Sequence, residues 1–197
     1  MVPDKQFWND RYIQQQTGWD MGQISTPLKN YIDQILDKNI SVLIPGCGNA
    51  HEAEYLLKQG FIDVTLIDIA DEVVKEIEKK FSNEIAKGSL KVICGDFFEL
   101  NHSFDLVIEQ TFFCAINPTL RQKYADKMFE NLKPNGKLAG VMFGVKMEGG
   151  PPFGGTKEEY EKYFSSYFHF NKMEDCYNSI KPREGRELFV ILQKKSV

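Results

Sequence analysis

Several resources that other function classes depend on are scarce in this chain of 197 residues. It has three histidines, His51, His102 and His169, isolated from one another and without metal-ligand spacing. Its four cysteines, Cys47, Cys94, Cys114 and Cys176, are spread along the chain with no Cys-x-x-Cys. That argues against a disulfide framework or a zinc site and reads as small buried thiols. Basic residues are not in excess: 24 Lys and Arg stand against 28 Asp and Glu, a net charge of −4. No electrostatic footprint for nucleic acid or an anionic membrane follows from that balance. No apolar run approaches the length of a membrane span. The opening Met1-Val2-Pro3-Asp4-Lys5 lacks the apolar core of a signal peptide, so the expected compartment is the cytoplasm. A phosphate-cradling Gly-Lys-Ser/Thr is missing, as are repeats, linkers and low-complexity tracts. One domain over residues 1–197, without a metal, is the expectation.

What is present centres on Ser41-Val42-Leu43-Ile44-Pro45-Gly46-Cys47-Gly48-Asn49-Ala50. Val42 to Ile44 suits a buried parallel strand, and His51 to Lys58 reads as helix. A strand, a Gly-x-Gly turn and a helix open a nucleotide-binding α/β unit, with glycines where a Cβ would collide with a ligand. A second apolar run, Phe61 to Ile67, ends at Asp68. That acid lies roughly 20 residues past the glycines, where such folds place a carboxylate on ribose hydroxyls. An ordinary strand ending in an acidic helix cap would share the pattern.

Around this unit, helices are expected over Asp4 to Gln16, from Ser25-Thr26-Pro27 to about Asp37, Asp71 to Phe81, Thr119 to Leu132 and Thr156 to Phe164. Further strands are expected at Leu90–Cys94, Phe104–Glu109, Lys137–Val145, Phe168–Ile180 and Glu187–Gln193. The alternation predicts a doubly wound α/β sheet. Residues 1–38 precede it as a helical lid and 39–197 form the core. Phe7, Trp8 and Tyr12 share one helical face, and Trp19 sits in a Gly-flanked loop, so the aromatics have something to cover.

The residue beyond the second glycine narrows the nucleotide. A dinucleotide fingerprint wants a small residue three positions after that glycine, and His51 stands there, which disfavours an NAD-dependent oxidoreductase. Asp96 at the end of the third strand can accept an adenine amino group while Phe97 stacks on the base. Ribose and adenine acids without phosphate ligands fit S-adenosylmethionine, whose sulfonium an aromatic face stabilises.

Four strings then carry a resemblance: Trp8…Tyr12…Gly18-Trp19-Asp20-x-Gly22…Thr26-Pro27-Leu28; Ile44-Pro45-Gly46-Cys47-Gly48; Thr111-Phe112-Phe113-Cys114-Ala115-Ile116; and Gly149-Gly150-Pro151-Pro152-Phe153. Nearly the whole chain resembles the thiopurine S-methyltransferase superfamily, in particular its halide and thiol methyltransferase branch. The resemblance implies a seven-stranded Rossmann-like sheet, S-adenosylmethionine as methyl donor and a small-molecule acceptor, thiol, thiopurine or halide, in a monomer. It places Trp8, Tyr12, Trp19, Gly46, Asp68, Asp96, Phe97 and Gln110 at the donor. Tyr12 stands where that branch has a tryptophan, and Gln110 where it tends to have a tyrosine. On the acceptor side it places Arg121, with Phe113, Phe153 and Arg183 as further candidates.

Such a transfer needs alignment and desolvation rather than acid–base chemistry. The candidate loops show no His–Asp pairing; they offer Phe112, Phe113, Phe153 and Tyr160 as an apolar lining and Arg121 to hold an anion. A non-catalytic S-adenosylmethionine-binding module, or methylation at oxygen or nitrogen, are the alternatives.

Overall fold

The computed structural model describes residues 3–196. Met1, Val2 and Val197 lie outside the described residues, so the signal-peptide reading and the outer limits of the 1–197 domain are not addressed by it. Seven strands form one sheet: β1 (Val42–Pro45), β2 (Val64–Asp68), β3 (Leu90–Cys94), β4 (Phe104–Gln110), β5 (Leu132–Phe143), β6 (Phe168–Asp175) and β7 (Glu187–Lys194). Their order is β3-β2-β1-β4-β5-β7-β6. The first five are parallel, and β7 runs antiparallel between β5 and β6. The order reverses between β1 and β4, and open α/β sheets bind ligands at that crevice, beyond the strands' carboxyl ends.

Eight α-helices are described: α1 (Lys5–Ile13), α2 (Thr26–Ile32), α3 (His51–Lys58), α4 (Asp71–Lys80), α5 (Ser82–Ala86), α6 (Phe112–Ala115), α7 (Arg121–Glu130) and α8 (Lys157–Phe164). Strand parity decides which layer each strand residue feeds. Val42, Ile44, Leu106 and Ile108 pack with Leu28, Ile32, Ala53, Leu56, Val73 and Ile77 of α2, α3 and α4. Leu43, Val107, Leu138 and Met142 face the other way, onto Tyr124, Ala125 and Met128 of α7 and Tyr160 and Phe164 of α8. All four β1 residues are buried, which is why the strand reads as a continuous apolar run.

Several boundaries differ from the sequence expectation. Asp4 caps α1 by accepting the Phe7 N–H at 2.8 Å, but the helix stops at Ile13, and Gln15 adopts φ 55°. The second helix stops at Ile32 rather than near Asp37. Phe61 and Ile62 precede β2 rather than belonging to it. Pro118–Leu120 is a 3₁₀ turn before α7, and Leu132 already opens β5. The stretch after Asp175 leaves the sheet and returns through a 3₁₀ turn at Lys181–Arg183. α5 and the single turn α6 have no sequence counterpart: each is too short to show a helical period. Among the described residues no helix is long and apolar enough to cross a membrane.

Candidate active site

A cavity of about 650 Å³ opens where the carboxyl ends of β1, β2, β3 and β4 meet the N-terminal segment. Trp8, Tyr12, Trp19, Gly46, Asp68, Asp96, Phe97 and Gln110, all eight of the donor-side residues expected from the sequence, line it.

The turn after β1 is left-handed at Gly46 (φ 55°), Gly48 (φ 50°) and Ala50 (φ 58°). A Cβ on Gly46 would overlap the Phe112 ring, and one on Gly48 would come within 3.2 Å of the Tyr12 hydroxyl. The glycines thus admit the protein's own aromatics, where the sequence suggested a ligand. Asp68 closes the turn. Its carboxylate accepts the Gly48 N–H and the Ala70 N–H, each at 3.0 Å. Burial raises its pKa, against the pull of the Ala70 and Gly48 N–H groups.

At the end of β3, Asp96 accepts the Phe98 N–H at 2.9 Å. Phe97 is 4% exposed, with its ring packed among Phe98, Phe112 and Tyr124. It also lines the cavity. Neither Asp68 nor Asp96 pairs with a cation among the described residues. Gln110, at the end of β4, has both amide atoms buried and without a hydrogen-bond partner. An unmet pair of this kind costs about 1–3 kcal/mol per group, and Gln110 is among the residues that line the cavity. Beneath it, Glu109 is fully buried, accepts the Tyr124 O–H and the Phe113 N–H, and is pushed up to about 7 by desolvation.

The roof is aromatic. Trp19 meets Trp8 at 5.5 Å and Tyr12 at 5.9 Å between ring centres, both edge-on. α1 itself packs on α4. Arg183 donates to the Trp19 carbonyl at 2.6 Å and pairs with Glu187 at 3.2 Å. Asp20, the next residue of that loop, bonds His51 Nε2 at 2.7 Å and accepts the Asn49 amide. Burial alone would raise the Asp20 carboxyl, but the Gly22 N–H, Asn49 and His51 hold it below its usual value. This His–Asp pair lies outside the loops of Phe112, Phe113, Phe153 and Tyr160, for which none was expected. Its members lie 31 residues apart, and no local spacing announces them.

The acceptor-side expectations fare differently. Arg183 lines the cavity, while Arg121, Phe113 and Phe153 lie outside its wall. Arg121 is 1% exposed; it pairs with Glu159 at 2.8 Å and donates to the Phe153 and Gly154 carbonyls at 2.9 and 3.0 Å. Its guanidinium lies over the rings of Phe113 and Tyr160. It therefore clamps the Gly-Gly-Pro-Pro-Phe strap and is not presented to an anion. Phe113 is core, and the Phe153 N–H is tied to the Cys114 carbonyl at 2.6 Å. Tyr160 is likewise core, donating to the Phe143 carbonyl. Of the expected apolar lining Phe112 does face the cavity, and it is joined there by Met21, Phe143, Met147, Pro151, Pro152 and Arg186. Arg11 also lines it, and neither Arg11 nor Arg186 forms an ion pair among the described residues. Of this wall, Phe112, Arg183 and the Pro-Pro pair had a legible sequence signal; Met21, Phe143, Met147 and Arg186 had none. Among the described residues no group of three or more His, Cys, Asp or Glu is placed to hold a metal.

Comparisons with known proteins give the chain its relatives. The chain is 30% identical over 184 residues to the probable thiol methyltransferase 2 of Arabidopsis thaliana, covering 91% of this chain and 81% of that one. It is 29% identical over 175 residues to thiocyanate methyltransferase 1 of Brassica oleracea, covering 87% and 77%. Its fold matches a Burkholderia thailandensis 1,6-didemethyltoxoflavin-N1-methyltransferase, solved with S-adenosylhomocysteine, at a TM-score of 0.77 and 16% identity, covering 98% and 87% of the two chains. The family model for thiopurine S-methyltransferase (TPMT) matches residues 3–195, and the chain belongs to that family.

Proposed function

We propose that this chain moves a methyl group from S-adenosylmethionine to a small, soft sulfur nucleophile. Family membership makes S-adenosylmethionine-dependent S-methyl transfer the reaction class. One observation carries the donor site: two carboxylates without cation partners, Asp68 and Asp96, open onto one cavity roofed by Trp8, Tyr12 and Trp19. Asp68 would hold the ribose hydroxyls and Asp96 the adenine amine. The orphaned Gln110 amide would meet the amino-acid end, and the ring trio the sulfonium.

When bound, the donor supplies a methyl carbon already activated by its sulfonium, so no residue has to protonate a leaving group. What the protein adds is alignment and desolvation. Met21, Phe143, Met147, Pro151 and Pro152 would strip water from the nucleophile. Arg186 and Arg11, which form no ion pair among the described residues, supply local positive charge favouring the thiolate of an acceptor whose pKa lies at about 8.5.

The test is an acceptor panel of thiols, thiopurines, thiocyanate, hydrosulfide and halide, with a catechol and an amine beside them. Turnover confined to the sulfur compounds and halide is the expected outcome. Donor binding without product across the panel would make the chain a binding module. Turnover on the catechol or amine alone would move the reaction to oxygen or nitrogen.

A further inference from the structure

We propose that His51 and Arg183 are positioning residues that hold the Trp19 loop closed over the cavity, His51 through the Asp20 carboxylate and Arg183 through the Trp19 carbonyl. The proposal rests on the donor-site reading above. The loop between α1 and α2 has no strand or helix of its own at Trp19 to Met21, yet Trp19, Asp20 and Met21 all face the cavity. A segment of that kind loses order readily unless side chains from elsewhere fix it.

Fixation comes from two directions. On one side, the glycine turn and the first residue of α3 supply Asn49 and His51, both bonded to Asp20. Asp20 also accepts the Gly22 N–H at 2.7 Å, so its carboxylate sets the loop's own turn while it is gripped. On the other side, Arg183 reaches the Trp19 carbonyl from the 3₁₀ turn before β7. It is braced by Glu187, which is 5% exposed, and rests over the Phe143 ring. The His51–Asp20 pair is partly screened, with side chains 21% and 20% exposed. The holds amount to two hydrogen bonds on the Asp20 carboxylate and one on the Trp19 carbonyl, so the loop can release and reclose around a donor. Both grip residues, Trp19 and Asp20, that line the methyl-donor cavity, which couples loop closure to occupancy: a chain closed for only part of the time binds its donor more weakly by that fraction.

The experiment uses the full chain, with S-adenosylhomocysteine as the probe in calorimetry and hydrogen exchange read over residues 17–24. His51→Ala should weaken binding roughly tenfold, the loss expected for one charge-assisted hydrogen bond, and Asp20→Ala, which also loses the Asn49 and Gly22 bonds, by at least as much. Each should speed exchange in the loop while residues 42–45 keep their protection, which establishes that the variants fold. The double variant should bind no worse than Asp20→Ala alone, since His51→Ala then removes a tie already broken. His51→Gln, which keeps an N–H donor at similar reach, should restore most of the affinity, and Arg183→Ala should loosen the loop independently. Unchanged loop exchange in His51→Ala and Asp20→Ala would overturn the proposal. So would multiplicative losses in the double variant. A His51→Gln variant that binds and protects its loop as poorly as His51→Ala would overturn the hydrogen-bonded hold. If the unmodified chain fails to bind S-adenosylhomocysteine, the donor-site reading falls, while loop exchange in the free protein still decides whether His51 and Arg183 fix the loop.

Discussion

Glu109 shows how far a single residue can be pushed by its place in the sheet. It stands beside Gln110 at the cavity, but its carboxyl points into the core, and desolvation raises it from 4.5 to about 7. Between those two values the folded chain holds a proton that the unfolded chain has released. Stability from this group is therefore complete below pH 4.5 and falls as pH rises to about 7, by about 3 kcal/mol in all. Glu109→Gln should flatten that part of the profile: thermal melts at pH 5 and pH 8 should differ less in the variant than in the parent. An unchanged difference would mean Glu109 titrates normally. Asp68 is the second residue-scale case. Asp68→Ala should weaken S-adenosylhomocysteine binding by about 1.5–3 kcal/mol for each hydrogen bond lost, and calorimetry with unchanged affinity would remove it from the donor site. The sequence exposed Asp68 because strand, glycines and acid lie close together in the chain. It hid the pairing of His51 with Asp20, and that of Arg121 with Glu159, 38 residues apart, because side chains that meet across elements leave no periodic trace.

At the scale of elements, the strap from Gly149 to Gly155 and the helix α8 behave as one piece. Thr156 caps α8 by accepting the Glu159 N–H at 3.3 Å, half of the capping box expected there. The Glu159 carboxylate, free to complete that box, goes to Arg121 instead. Arg121→Ala should therefore destabilise the fold by about 2–3 kcal/mol and raise hydrogen exchange over residues 149–155, through loss of its bonds to the Phe153 and Gly154 carbonyls. A strap that stays protected while thiol turnover collapses would return Arg121 to the acceptor side. The core strands and the long helices were legible because each buries a regular face. Helix ends were less so: α1 stops where Gln15 takes a left-handed conformation, a choice that Gln14, Gln15 and Gln16 do not advertise.

At the scale of the whole molecule, the sheet order places a helix N-terminus and a glycine turn at the crevice, the arrangement that in other proteins receives a pyrophosphate. Here that position is electrostatically closed to one. The Gly48 N–H is already given to Asp68, Asp20 grips His51 at the first residue of α3, and Glu52 lies buried in its first turn. Three acids around one turn repel a dinucleotide and suit a ligand that carries positive charge and no phosphate. Binding to the folded chain alone must raise its stability, by about 2.7 kcal/mol when ligand is present at about 100 times its dissociation constant. For a chain of 197 residues that corresponds to a rise in Tm of about 5–10 °C. S-adenosylhomocysteine should produce such a rise and NAD none at the same concentration, with the shift reduced in Asp68→Ala. Equal shifts from both ligands would show that the three acids do not discriminate against phosphate, and a shift from NAD alone would return the cavity to dinucleotide chemistry.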